Sequence, residues 1–244
     1  MNTALRLHDE ARRPPRLAGF VPFSGCDWPG ELACVVFVAG CPWRCRYCHN
    51  PALQQRASPP GAPQWDELLG WLPTRRGLID AVVFCGGDPL VEARLPEMLA
   101  QVRALGFKTA LHTGGAYPAR LGQCLPQLDW VGFDVKHDFA DYADVTGVAS
   151  SGVAAQRSLD LLLASGVAFE CRTTWHPLLQ DHAALVRLAD RLAALGVRDY
   201  ALQCFRPTGC RDDELIRHPV GAPASQLLSM LASRFDRFTL REAA

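Results

Sequence analysis

The sequence predicts an α/β fold: a partial (β/α)6 barrel with parallel strands. Three observations carry this. Short apolar runs alternate six times with longer amphipathic segments between residues 30 and 240. Several of the runs are apolar throughout, as in strands buried on both faces. Their spacing leaves room for one helix after each. A closed eight-unit barrel needs about 250 residues with little else. Here the first 30 residues and a cysteine-rich loop supply no strand, so six units are expected.

The expected strands are residues 32–38, 79–84, 107–112, 130–135, 167–173 and 200–205, rich in Val, Phe and Leu. The expected helices are 65–72, 95–105, 118–125, 154–164, 182–195 and 223–233. Gly106, Gly166 and Gly196 follow three of these, where a helix C-terminal glycine belongs. Asp181 is placed to cap the fifth. Residues 56–64 form a loop with three prolines. Residues 1–18 read as a mobile Arg/Pro-rich lead-in and 19–244 as a single domain. Parallel strands joined by right-handed crossovers place a ligand site at the strands' C-terminal ends.

Composition narrows the function. The 244 residues carry 25 basic and 25 acidic side chains, which does not indicate a basic nucleic-acid face. With 49% hydrophobic and 20% charged residues, wholesale disorder is excluded. No stretch reaches the roughly 18–20 apolar residues of a membrane span. Residues 1–18 contain no apolar secretion signal, so a cytoplasmic location with reduced thiols is expected. The ten cysteines then divide between ligands and small core residues.

The first strand runs into Gly40-Cys41-Pro42-Trp43-Arg44-Cys45-Arg46-Tyr47-Cys48-His49-Asn50-Pro51. Cys41, Cys45 and Cys48 form a C-x3-C-x2-C run that one loop can wrap around a metal centre. Three thiolates suit three irons of a [4Fe–4S] cube and leave the fourth iron open. A zinc-binding module is the rival, and would want a fourth protein ligand. Cys204 and Cys210 are candidates for a second site. Cys26, Cys34, Cys85, Cys124 and Cys171 read as small core residues.

This run, with an aromatic before its last cysteine and placed after the first strand, resembles the radical S-adenosylmethionine (SAM) superfamily. The continuation Tyr47–Pro51 and the lead-in of residues 19–30 are similar to glycyl-radical-enzyme activases. The resemblance is closest to activators of anaerobic ribonucleoside-triphosphate reductase, and covers roughly residues 18–210. It implies a [4Fe–4S] cluster on the three cysteines and SAM on its open iron. It also implies reductive SAM cleavage to a 5′-deoxyadenosyl radical, which takes hydrogen from a backbone glycine of the reductase. An external one-electron donor such as flavodoxin is implied. The alternative enzyme acts on a small molecule and resembles the carboxy-deazaguanine synthases.

Further candidates stand at the strand ends. Gly86-Gly87-Asp88-Pro89 resembles the superfamily's Gly-Gly-Glu-Pro segment, which binds the SAM amino group. His112-Thr113-Gly114 takes the place of a frequent Thr-Asn-Gly, with Gly114 where Asn would stand and His112 or Thr113 as the polar group. Asp134 and Lys136, two apart on a strand, share a face. They form an ion pair or, as the resemblance implies, line the SAM pocket. Arg172 lies in an apolar strand and needs an anion, either the SAM carboxylate or Asp134 or Glu170. Tyr47 and His49 are implied to lie beside the adenine. Arg206 receives no definite contact.

Overall fold

The computed structural model describes residues 13–218, 220–221 and 223–242. Eight strands form one sheet in sequence order: β1 (Leu17–Ser24), β2 (Ala33–Val38), β3 (Ala81–Gly86), β4 (Lys108–Thr113), β5 (Trp130–Asp134), β6 (Ala168–Trp175), β7 (Asp199–Cys204) and β8 (Arg237–Arg241). β2 to β8 are parallel, and β1 runs antiparallel to β2. The six expected strands are β2 to β7. The partial barrel is therefore present, extended by β1 and β8.

Helices cover one face: α1 (Trp65–Trp71), α2 (Leu95–Ala104), α3 (Pro118–Cys124), α4 (Tyr142–Thr146), α5 (Ser151–Ser165), α6 (His182–Ala194), α7 (Asp213–Arg217) and α8 (Ser225–Ala232). Six match the expected helices, whereas α4 and α7 are single-turn additions. The Asp181 side chain caps α6 by accepting from Ala184 N. The chain enters β1 at Leu17, within the expected lead-in, and Leu17 is buried. The lead-in's residues 1–12 lie outside the described residues.

Strand alternation sorts two apolar layers. Val36, Val82, Phe84, Leu111, Val131 and Phe133 pack outward under the helices with Leu99, Leu159 and Leu188. Ala33, Val35, Ala81, Val83, Ala110 and Trp130 face inward. The inward alanines leave room for Trp28, from the β1–β2 turn, to stack on Trp130 with ring centroids 5.9 Å apart. These two indoles floor the barrel interior. Above them the inward positions turn polar and open at the strands' C-terminal ends.

Candidate active site

A cavity of about 650 Å³ occupies that mouth. Cys41, Cys45 and Cys48 line it, with Tyr47, His49, Gly86, Gly87, Asp88, His112, Thr113, Asp134, Lys136 and Arg172. Of the expected site residues only Pro89 is outside the lining. It is buried behind, opening a short 3-10 turn, Pro89–Val91.

The cysteine loop is held from every side. Gly40 N and Cys41 N donate to Leu53 O and Gln54 O at 2.8 and 3.2 Å. Arg44 N and Arg46 N donate to Thr146 O and Val145 O at the end of α4. The Arg46 side chain donates to Asp212 and Glu214, 2.6 Å each, across the start of α7. The two short helices that the sequence did not signal are therefore the brackets of this loop.

The 86–89 segment approaches the loop at backbone contact. A Cβ on Gly87 would stand 2.2 Å from Gly40 O, so no side chain fits there. The Asp88 carboxylate does not stand open. It accepts from Thr113 Oγ1 at 2.8 Å, Leu90 N at 3.1 Å and Gly114 N at 3.2 Å, and is 2% exposed. Burial raises its pKa despite these bonds. Thr113 is spent in turn, since its hydroxyl also accepts from Gly115 N at 2.9 Å. Asp88 and Thr113 thus tie the β3 and β4 exits together and leave backbone groups for a ligand.

Gly114 explains the missing Asn. A Cβ there would lie 2.3 Å from Trp43 Cζ3, because the Trp43 indole fills that space. Gly132 serves similarly, since its Cβ would meet the Arg172 guanidinium at 2.6 Å. Arg172 therefore lies flat across β5 and donates to Asp134 Oδ1 at 3.0 Å and Gly132 O at 3.1 Å. Lys136 Nζ stands 3.4 Å from the other Asp134 oxygen, and 5.9 and 5.7 Å from the Trp43 and Tyr47 rings. Two cations share one carboxylate, leaving the group net positive. Burial alone would raise the Asp134 pKa, but Arg172 and Lys136 outweigh it and hold it below the ordinary value. Burial pushes the Cys41 thiol up to about 12 and raises Cys45, while Lys136 pulls both back.

His49 donates from Nδ1 to Thr208 O at 3.3 Å and stacks on Phe205 with centroids 6.0 Å apart. Burial lowers its pKa. Arg206 is exposed on the rim. Cys204 lines the cavity, whereas Cys210 is buried elsewhere and donates to Arg46 O at 3.3 Å. Cys34, Cys124 and Cys171 are core residues as expected. Cys26 and Cys85 are not. Cys26 is exposed and both line the cavity, Cys26 from the β1–β2 turn and Cys85 from an inward position of β3. Sequence reasoning missed Trp43, Thr174, Gln203 and Arg241, all on the lining. Thr174, two positions after Arg172, could have been found by strand alternation. The others needed the register.

Residues 35–176, more than half of the chain, match the profile of the Radical SAM superfamily. The chain belongs to the radical SAM superfamily. It is 26% identical over 211 residues to a protein of Methanocaldococcus jannaschii provisionally named a glycyl-radical enzyme activating enzyme, covering 84% of this chain and 85% of that one. It is 34% identical over 135 residues to the pyruvate formate-lyase-activating enzyme of Clostridium pasteurianum, covering 52% and 55%. Among solved structures, Streptococcus suis SuiB bound to precursor peptide SuiA superposes with TM-score 0.63 at 14% identity, over 84% of this chain and 48% of that one. QueE from Escherichia coli superposes with TM-score 0.58 at 17% identity, over 98% and 99%. At those identities the likeness is one of fold.

The family brings a [4Fe–4S] cluster and SAM, and the residues fit both. Three soft thiols of one loop face one cavity, the donor set for a cube with one open iron. Among the described residues, no three His, Cys, Asp or Glu side chains are gathered around a single-ion position. A cube takes each thiolate on a different iron and does not require that convergence. Among the described residues, no helix is long and apolar enough to cross a membrane.

Proposed function

We propose that this radical SAM enzyme is a glycyl-radical-enzyme activase whose partner is an anaerobic ribonucleoside-triphosphate reductase. The observation that carries the activase reading is the near full-length relation to the Methanocaldococcus jannaschii protein named for that activity. The motifs at residues 19–30 and 47–51 support the reductase as partner, with an external donor such as flavodoxin in a cytoplasmic setting.

Cys41, Cys45 and Cys48 would hold the cluster. When bound, cluster and SAM supply one-electron chemistry that splits SAM into methionine and a hydrogen-abstracting 5′-deoxyadenosyl radical. The protein's part is binding and electrostatics. Arg172 and Lys136 offer positive charge to the SAM carboxylate. The backbone of 86–88, fixed by Asp88 and Thr113, offers acceptors to the amino group. Tyr47 and His49 flank the adenine, and the Trp28–Trp130 stack fills the far end of the interior.

The deciding experiment mixes anaerobically reconstituted protein, SAM, reductant and the candidate reductase, and reads electron paramagnetic resonance. A glycyl radical should appear on the reductase, and Cys45→Ala should lose both iron and signal. SAM cleavage without a glycyl radical would overturn the activase reading in favour of a small-molecule substrate. Stoichiometric zinc without iron would overturn the cluster.

A further inference from the structure

The last three strands meet the cavity with one row of polar side chains. Thr174 of β6 pairs with Gln203 of β7, and Gln203 pairs with Arg241 of β8. All three line the cavity and are half-buried. Their chain neighbours Trp175, Leu202 and Leu240 pack with the outer core, so strand alternation aims the row inward. Strands lie about 4.8 Å apart, so the row spans roughly 10 Å, the reach of about three extended residues.

Two members of the row are uncommitted. Among the described residues the Thr174 hydroxyl and the Gln203 amide have no hydrogen-bond partner. Arg241 is held by a buried acid on the same face of β6: its Nη2 lies 2.7 Å from Glu170 Oε1. Its charge is balanced there, while its other N–H groups still donate. A phosphate or carboxylate would therefore gain no unbalanced cation from this row. The sheet order runs from β1 to β8, and among the described residues these outer strands do not pair with each other. The barrel thus has a slot on the row's side. A small molecule needs one opening, whereas a protein loop needs room to enter and to leave.

The chemistry of the row suits a main chain. Gln203 presents one carbonyl and one NH2 on a planar amide, the complement of a peptide group. Thr174 adds a hydroxyl that donates and accepts, and Arg241 adds donors for a carbonyl. A glycine lacks the side chain that would hold its backbone off such a wall. We infer that Thr174, Gln203 and Arg241 form a subsite for the extended main chain of the glycine-bearing segment. Gln203 pairs with a peptide group beside the glycine, and Thr174 and Arg241 bond to the peptide groups on either side. The inference rests on the activase reading proposed above and names the residues that hold that partner. The row is separate from the SAM contacts proposed above, which come from β3, the β5 exit, Arg172 and the cysteine loop.

Gln203→Leu removes both amide contacts at similar size, and Thr174→Val removes the hydroxyl at equal size. Arg241 is left in place, because Glu170 would otherwise be buried without its partner. The probe is a labelled synthetic peptide spanning the glycine segment of the candidate reductase. Its binding to oxidised, reconstituted protein with SAM is read by fluorescence anisotropy. Q203L should weaken the peptide about tenfold and T174V about fivefold, with SAM affinity within about twofold of wild type. Methylating in turn the main-chain nitrogens of the glycine and of the next residue tests the backbone contact itself. One of these peptides should lose affinity for wild type yet lose little more with Q203L. Variants that hold the peptide as wild type does, or that weaken SAM as much as the peptide, overturn the inference alone. Wild-type protein that holds neither the peptide nor the intact reductase overturns the activase reading, and this inference with it.

Discussion

Gly114→Ala tests how the cysteine loop docks on the barrel. The added methyl would stand 2.3 Å from Cζ3 and 3.1 Å from Cη2 of Trp43, and 3.2 Å from Cε of Lys136. Carbon atoms rest about 3.5–4.0 Å apart, so the indole must retreat by more than about 1 Å. Tyr142 and Lys136 block it on two sides, and retreat toward the cavity it lines would undo both contacts. Trp43 is 3% exposed, its edge meets Tyr142 at 5.7 Å, and Lys136 lies against its face. Overpacking costs about 1–3 kcal/mol, and overlap with a rigid ring puts this case near 3. In a chain of this size about 3 kcal/mol lowers Tm by roughly 6–12 °C. Trp43→Leu makes room, so G114A should cost less in that background, with a coupling of about 2 kcal/mol. Thermal unfolding of wild type, both single variants and the double variant measures this. Iron retained after reconstitution should fall with G114A, because Trp43 lies between Cys41 and Cys45. The reasoning is refuted if G114A melts within 1 °C of wild type, or if Trp43→Leu gives no relief.

Trp28→Ala removes the barrel floor and should cost about 3–5 kcal/mol in denaturant unfolding; a cost below about 1 would mean the stack is not what fills the interior. Asp134→Asn leaves Arg172 and Lys136 without their shared carboxylate. About 3 kcal/mol should be lost, the low end for a broken buried pair because a third of the Asp134 side chain is open, and calorimetry checks it. Asp129 accepts from Arg103 at 2.6 Å and Thr109 N at 2.8 Å. Burial works against its charge, yet these partners hold its pKa below the ordinary value. Its contribution to stability is therefore present above about pH 4 and lost as pH falls through the lower folded value. In Asp129→Asn the acid limb of the stability curve should flatten, and an unchanged limb would contradict the assignment.

The parallel core was legible because continuous apolar runs and helix-ending glycines mark it directly. β1 was not, because Gly19 and Pro22 interrupt it, as an edge strand tolerates. β8 was not, because Arg237–Arg241 is short, bracketed by arginines and carries no buried residue. The site was legible wherever chemistry sits at a strand's C-terminal end, as with Asp134, Lys136 and Arg172. What local sequence withheld is competition among neighbours. Asp88 looks like a ligand-binding acid until Thr113 and Gly114 are seen to claim it. Gly114 looks like a lost side chain until Trp43 is seen in its place. Both depend on partners 25 or more residues away in sequence, which no local pattern encodes.

The antiparallel first strand has a practical consequence for handling the protein. Leu17 pairs with Val38 at the mouth end of β2, and Arg241 and Glu242 line the cavity. The described chain thus starts and finishes on the working rim, beside the cysteine loop and the opening through which a partner must reach. An affinity tag or fused domain joined directly before Leu17 or after Glu242 would be tethered at that doorway and compete for it. The opposite end is free. Gly166, between α5 and β6, is exposed, and a Cβ there would meet no atom within 4 Å. A label inserted in that turn would stand a full strand length from the chemistry and leave the rim clear.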